Sequence, residues 1–407
     1  MSADPSRILL AVGIFASIVL FGCGSSSTSS TASSSVGQGT TPVSNVQPIT
    51  VSAGPASVYV DGAFTSVTVC VPGSTTNCQT VDGILVDTGS SGLRILSSAL
   101  TVSLPQQNDS SGNPIVECTA FADGVTWGPV QEADVKMAGE QASSLPIQVI
   151  GSPNFSNVPS VCTGQGQPEE DLSSLGANGL LGVGQAIQDC GTFCTANAAN
   201  QATYFSCPSS GCIGAIESLA KQVQNPVASF ATDNNGVIVE LPAVTGAEAT
   251  VSGSLIFGIG TQSNNGLGGA TVFGTDPFGD LNTTYNSTSY QSFLDSGSNG
   301  IYFLSTAATG LPVCTNITFL YCPASTQTIN AIITAQAGSN GATVPVTFMV
   351  GNGDSLTNSP VDTAINNLAG PQPNNFDFGL PFFFGRNVFV AIDGKSTPGG
   401  TGPYTAY

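Results

Sequence analysis

The sequence predicts a mostly β protein built as two lobes related by a pseudo-twofold axis. Three observations carry this expectation: a composition that favours turns and short strands, a length that suits two cores, and an internal repeat that sets the same motif in each half. The composition rests on 49 Gly, 25 Pro and only 8% charged residues, with many Val, Thr, Ser and Phe. Such a chain favours short strands over long helices. Its 407 residues exceed one ordinary domain and are modest for two lobes that each bury a core.

Charge and composition then narrow the chemistry. A net charge of −19 with six Lys plus Arg leaves no basic patch to neutralise phosphates, which argues against nucleic acid as a partner. The absence of His removes Ser-His-Asp and Cys-His catalysis, and every zinc site that needs imidazole. Any hydrolysis would have to run on carboxylates, and no cofactor or metal is expected.

Residues 1–22 read as a signal peptide. The apolar run 8–22 (ILLAVGIFASIVLFG) is too short to span a bilayer comfortably, and Arg7 gives it a positive flank. Leu20-Phe21-Gly22-Cys23 resembles a bacterial lipoprotein cleavage box, which makes Cys23 the expected lipid-bearing first residue of the mature chain. Residues 23–48 are then a tether, since their Ser/Thr/Gly-rich composition offers nothing to bury. The expected location is the cell envelope, with the exported chain lipid-anchored to a bacterial membrane and touching it only through that anchor. The lobes are expected at 49–246 and 247–407.

Export agrees with the cysteines: setting Cys23 aside leaves ten, an even number, in an oxidising compartment. Short spacing predicts Cys70–Cys78 and Cys314–Cys322 as local bridges, and Cys118 with Cys162 would bracket part of the first half. Cys190, Cys194, Cys207 and Cys212 allow three pairings among themselves. Zinc is the rival reading of that cluster, and the exported, acidic context favours disulfides.

The repeat carries the chemistry. Residues 84–96 read ILVDTGSSGLRIL and residues 292–304 read SFLDSGSNGIYFL, aligning without a gap. A lone Asp-Thr-Gly-Ser after a strand is an ordinary turn; two copies half a protein apart need another cause. Each copy would end a buried strand with an Asp aimed at the lobe interface, and Gly89 and Gly297 would let the backbone approach closely. Across a pseudo-twofold axis Asp87 and Asp295 would meet, share one proton, and supply acid and base from one residue type.

These motifs resemble the pepsin-like aspartic proteases, and also a distant group of bacterial lipoproteins, over most of the chain after residue 50. The resemblance implies that Thr88 and Ser296 each brace the opposite loop and that Ser90 and Ser298 bond the catalytic carboxylates. Gly179-Leu180-Leu181-Gly182-Val183-Gly184 and residues 376–393 (FDFGLPFFFGRNVFVAID) are similar to the apolar-Gly strands that underlie the two Asp loops. The expected activity is that of an exported, monomeric aspartic endopeptidase holding a peptide or protein substrate in the interlobe cleft. The alternative is a catalytically inactive fold of this kind that binds partners at the cell surface.

The chain departs from the family pattern at three places. Arg94 stands where a flap-supporting Trp is usual; its place is either the solvated surface, which is favoured, or near the dyad, where it would stabilise ionised carboxylate. The segment 118–130 sits where the flap hairpin belongs but holds no Tyr, so Phe121 and Trp127 are the candidate flap rings. Asn299-Gly300 replaces a hydroxyl residue followed by a larger apolar one, which alters the cleft floor and not the acid–base pair.

Overall fold

Strands with a single apolar face form the outer hairpins. In Gln327–Thr334 every second residue is buried, among them Ile329, Ala331 and Ile333. Its antiparallel partner Thr343–Val350 buries Val346, Phe348 and Val350 in the same alternation. Period-two patterning of this kind suits a sheet with one wet side. The computed structural model describes residues 45–196, 202–336, 338–339, 341–359 and 361–407. The signal segment, Cys23 and most of the tether lie outside the described residues. Among the described residues no helix is long and apolar enough to cross a membrane.

Strands leading into the two Asp motifs are apolar on both faces and lie inside. Cys78–Asp87 buries its last four residues and runs parallel to Gly179–Val183, with Asp87 opposite Gly182. After the Asp turn, Ser91–Leu96 runs antiparallel along the other edge of Gly179–Val183. The second half repeats this plan. Thr288–Leu294 lies parallel to Gln372–Phe378, and Ile301–Leu304 returns antiparallel along it. The sequence repeat is therefore a repeat of local topology, as expected for two mostly β lobes.

The sheet that carries the first motif continues through Gly62–Cys70 to join the ends of the chain. Val46–Ser52 pairs with Val251–Phe257, which pairs with Gly236–Leu241; that strand pairs with Arg386–Ala391, and Arg386–Ala391 with Tyr404–Ala406. One apolar core runs through both halves, from Val86, Leu93 and Leu181 to Leu294, Phe303 and Phe376. Phe303 and Phe376 stack with centroids 5.4 Å apart, so the second motif rests on aromatic packing where the first rests on aliphatic side chains.

Ten cysteines form five disulfides: Cys70–Cys78, Cys118–Cys162, Cys190–Cys194, Cys207–Cys212 and Cys314–Cys322. The two short-range bridges and the bracketing pair form as expected. The open cluster resolves into its two nearest-neighbour pairs.

Candidate active site

Each motif Asp leaves the end of its buried strand and is met by its own loop. Asp87 Oδ1 accepts from the amides of Gly89 (2.8 Å) and Ser90 (3.2 Å), and its Oδ2 accepts from the Ser90 hydroxyl. Asp295 Oδ1 accepts from the Gly297 amide (2.8 Å), and its Oδ2 lies 3.0 Å from Ser298 Oγ. Both aspartates are buried, at 0% and 2% exposure.

The two loops are tied to each other across the axis. Thr88 Oγ1 donates to Leu294 O (3.1 Å) and accepts from the Ser296 amide (2.9 Å). Ser296 Oγ donates to Val86 O (2.8 Å) and accepts from the Thr88 amide (3.2 Å). Four reciprocal hydrogen bonds thus set the separation of the strand ends, and the Asp87 and Asp295 carboxyls come within hydrogen-bond contact. Gly89 makes this approach possible: a Cβ there would fall 2.6 Å from Asp295 Cγ. Burial first, then the Asp87 and Asp377 carboxyls, push Asp295 well above the usual carboxylate range.

A cleft of about 370 Å³ opens over the pair, lined by Gly89, Ser90 and Asp295 on its floor, by Phe121 and Thr119 on one wall, and by Phe278 and Phe293 on the side of the second half. Phe278, 72% exposed, stands at its mouth. The wall is a hairpin of Ile115–Ala120 and Gly124–Met137 whose turn carries Phe121. Both edges of this hairpin are occupied. Tyr204–Ser206 pairs with Ile115–Ala120, Gln167–Pro168 runs parallel to the start of Gly124–Met137, and the Cys118–Cys162 disulfide staples the first strand.

Two expectations are corrected here. Trp127 is not a flap ring: it is buried at 1% exposure, packs edge-on against Phe205 (5.1 Å between centroids) beside Cys118 and Cys162, and donates from Nε1 to Phe155 O (2.7 Å). Strand alternation sends it to the face turned from the cleft. Phe121 alone of the two lines the cleft.

Arg94 is not a surface charge either, because it has no solvent exposure. Its Nη2 lies 2.7 Å from Glu117 Oε1 on the hairpin and 3.2 Å from Asp189 Oδ2; Nη1 donates to Ser91 O and Nε to Thr119 Oγ1. The guanidinium also lies 5.7 Å from the centroid of Phe121, a cation–π distance. Burial opposes its charge, but Glu117 and Asp189 outweigh that and hold Arg94 above its ordinary value. Burial pushes Glu117 up, but Arg94 and a hydrogen bond from Asp189 bring it below the usual range, while burial and then Glu117 push Asp189 well above it. One guanidinium thus meets two carboxyl groups that are shifted in opposite directions, with Tyr204 Oη donating to Asp189 (2.7 Å).

Sequence reasoning missed a third acid at the floor. Asp377, fully buried, places Oδ2 2.6 Å from Ser298 Oγ, the hydroxyl that also meets Asp295. Its signal was present: Phe376-Asp377-Phe378-Gly379 stands in the second half where Gly179-Leu180-Leu181-Gly182 stands in the first, so a carboxyl replaces Leu180 within an apolar strand. Among the described residues Cys314, Cys322 and Asp354 bring ligand atoms within 4.8 Å of one another, but the two sulfurs are joined in a disulfide and offer no thiolate.

Known structures share this architecture. The crystal structure of aspartic proteinase from Irpex lacteus matches with a TM-score of 0.52 at 15% identity, covering 89% of this chain and 96% of that one. At that identity the likeness shows the fold, which is two-lobed and pepsin-like, and not the activity. No curated protein matches the sequence. Residues 41–407 match the model of the family described as "Protein of unknown function (DUF3443)", and the chain belongs to that family.

Proposed function

We propose that this chain is an exported aspartic endopeptidase that uses Asp87 and Asp295 as one acid–base unit to hydrolyse peptide bonds with an activated water. The observation that carries the reading is the contact of two buried carboxyls at equivalent strand ends, held by reciprocal bonds from Thr88 and Ser296. In this reading Asp295 is the acid, and Asp87, where two amides and a hydroxyl meet the carboxyl, is the base. A water between the carboxyls gives a proton to Asp87 as its oxygen attacks the scissile carbonyl carbon, and Asp295 protonates the carbonyl oxygen. In the return step the C–N bond breaks as Asp87 passes its proton to the nitrogen, and a hydroxyl of the tetrahedral diol restores the proton of Asp295.

The substrate is a peptide or protein segment lying extended across the cleft beneath Phe121, bound by a monomer without cofactor. Five disulfides mark a protein of an oxidising, extracytoplasmic compartment. Within this proposal the chain is held at the envelope by lipid on Cys23. A second reading, an inactive fold that binds partners at the cell surface, draws on the hairpin: Phe121 brings no hydroxyl, and both hairpin edges are paired.

The test is cleavage of a mixed peptide library by the purified, disulfide-intact protein across acidic to neutral pH, beside Asp87→Asn, Asp295→Asn and the double variant. Wild type should cleave with an acidic optimum; each single variant should lose almost all activity, and the double variant little more, because groups acting as a unit are not additive. A statine-type analogue should bind wild type far more tightly than either variant. Equal cleavage by Asp87→Asn would refute the mechanism. Neither cleavage nor analogue binding by wild type at any pH transfers the assignment to the binding fold.

A further inference from the structure

The floor of the cleft carries more acid than a two-carboxylate site needs. Ser298 Oγ lies 3.0 Å from Asp295 Oδ2 and 2.6 Å from Asp377 Oδ2. A hydroxyl owns one proton, so it can donate to only one of these oxygens, and the other contact needs a proton from the carboxyl side. Asp377 has no solvent exposure, and its Oδ1 has no hydrogen-bond partner. An ionised Asp377 would therefore leave a bare charged oxygen inside the aromatic core, which costs far more than a neutral carbonyl in the same place.

We propose that Asp377 is a third, proton-bearing member of the acid cluster, whose carboxyl donates to Ser298 and so aims the Ser298 hydroxyl at Asp295. In this arrangement three carboxyls hold two protons and one charge. The titratable groups facing Asp377 are Asp295 from Thr288–Leu294 and its loop, Asp87 across the axis, and Tyr302, its register partner on Ile301–Leu304. Among the described residues no basic side chain acts on it. Burial is the main cause that pushes Asp377 well above the usual carboxylate range, against the hydrogen bond with Ser298 and with help from Asp87.

The proton has a consequence for the proposed peptidase, and this step rests on that reading. When Asp377 ionises, the Ser298 hydroxyl turns to it, Asp295 loses a donor, and a second negative charge appears beside the pair. Asp377 is thus a positioning residue whose ionisation closes the active range on its alkaline side.

Native capillary electrophoresis of the full exported chain tests the proton without any need for activity. At about pH 6.5, well above the ordinary Asp range, Asp377→Asn should migrate with wild type, whereas Glu248→Gln at an exposed site should shift by one charge. Asp377→Leu guards against a folding failure, since Leu180 fills the equivalent place in the first half, and it too should show no charge step. A full step in either Asp377 variant overturns the proposal, whatever the activity. In the peptide assay, the Asn amide still donates to Ser298 but cannot ionise, so the acid limb of the rate profile should stay and the alkaline limb should move up. A fall by the same factor at every pH overturns the assignment of the alkaline limb.

Discussion

Replacing Arg94 by Met keeps most of the side chain's length and removes its charge, which makes it a direct probe of the cluster under the hairpin. Arg94 and Glu117 have side-chain exposures of 1% and 0% and stand 2.7 Å apart. Glu117, held below the usual carboxylate range by Arg94, is left without its cation in the variant. Removing one partner of a buried pair costs about 3–5 kcal/mol, against about 0–1 kcal/mol for an exposed pair, and the geometry here calls for the upper range. Urea unfolding followed by the fluorescence of Trp127, the chain's single Trp, reads the change directly. Arg94→Met with Glu117→Gln should recover most of the loss, because the second change removes the stranded charge. The pH dependence has a definite sign. Arg94 helps hold Glu117 below its ordinary 4.5, so the stabilisation is complete above about that pH and is lost as pH falls through the depressed value. The gap between wild type and Arg94→Met should narrow in acid accordingly. A loss under about 1 kcal/mol, or no recovery in the double variant, would refute the buried pair.

Glu169 gives a second pH signature. Its amide donates to Val125 O on the hairpin (2.8 Å), and burial, then the neighbouring Asp123, push it up to about 9. The folded chain keeps this proton where the unfolded chain releases it near 4.5, so stability should fall as pH rises between about 4.5 and 9, by up to about 1.4 kcal/mol per pH unit. Glu169→Gln should flatten that slope in unfolding curves taken across the range, and an unchanged slope would show that Glu169 does not titrate with folding. At the other end of the chain, radiolabelled fatty acid should be incorporated into wild type and not into Cys23→Ala; label retained by the variant would end the lipid-anchor proposal.

What the sequence revealed follows the range of the interactions involved. The paired Asp loops were legible because each needs only its own few residues: an apolar strand, a Gly for close approach, and hydroxyls at fixed offsets. The short disulfides were legible for the same reason. Arg94 was not, because the groups that make its burial tolerable lie 23 and 95 positions away, at Glu117 and Asp189. Trp127 was misplaced by spacing alone. It lies on the hairpin that walls the cleft, but a strand sends alternate side chains to opposite faces, and which face meets the cleft depends on the partner strand that carries Cys118. Asp377 lay within a segment already matched to the first half; comparing the two segments residue by residue, and not only by their glycines, exposes it.

Differences between the two halves also bias the polarity of the site. Two identical loops related by an exact twofold would leave the shared proton with no preference between Asp87 and Asp295. Here the halves differ at two points that act in one direction. The Ser90 amide donates to the Asp87 side chain, whereas the equivalent Ser298 amide is spent on the backbone carbonyl of Asp295. Position 180 is a Leu packed with Leu85 and Tyr59, whereas its counterpart Asp377 sets a carboxyl one hydroxyl away from Asp295. An extra donor favours charge on Asp87, and an extra acid nearby disfavours charge on Asp295. Within the proposed mechanism this asymmetry makes Asp87 the base and Asp295 the acid, and the proposed Asp377 variants probe that assignment from the acid side.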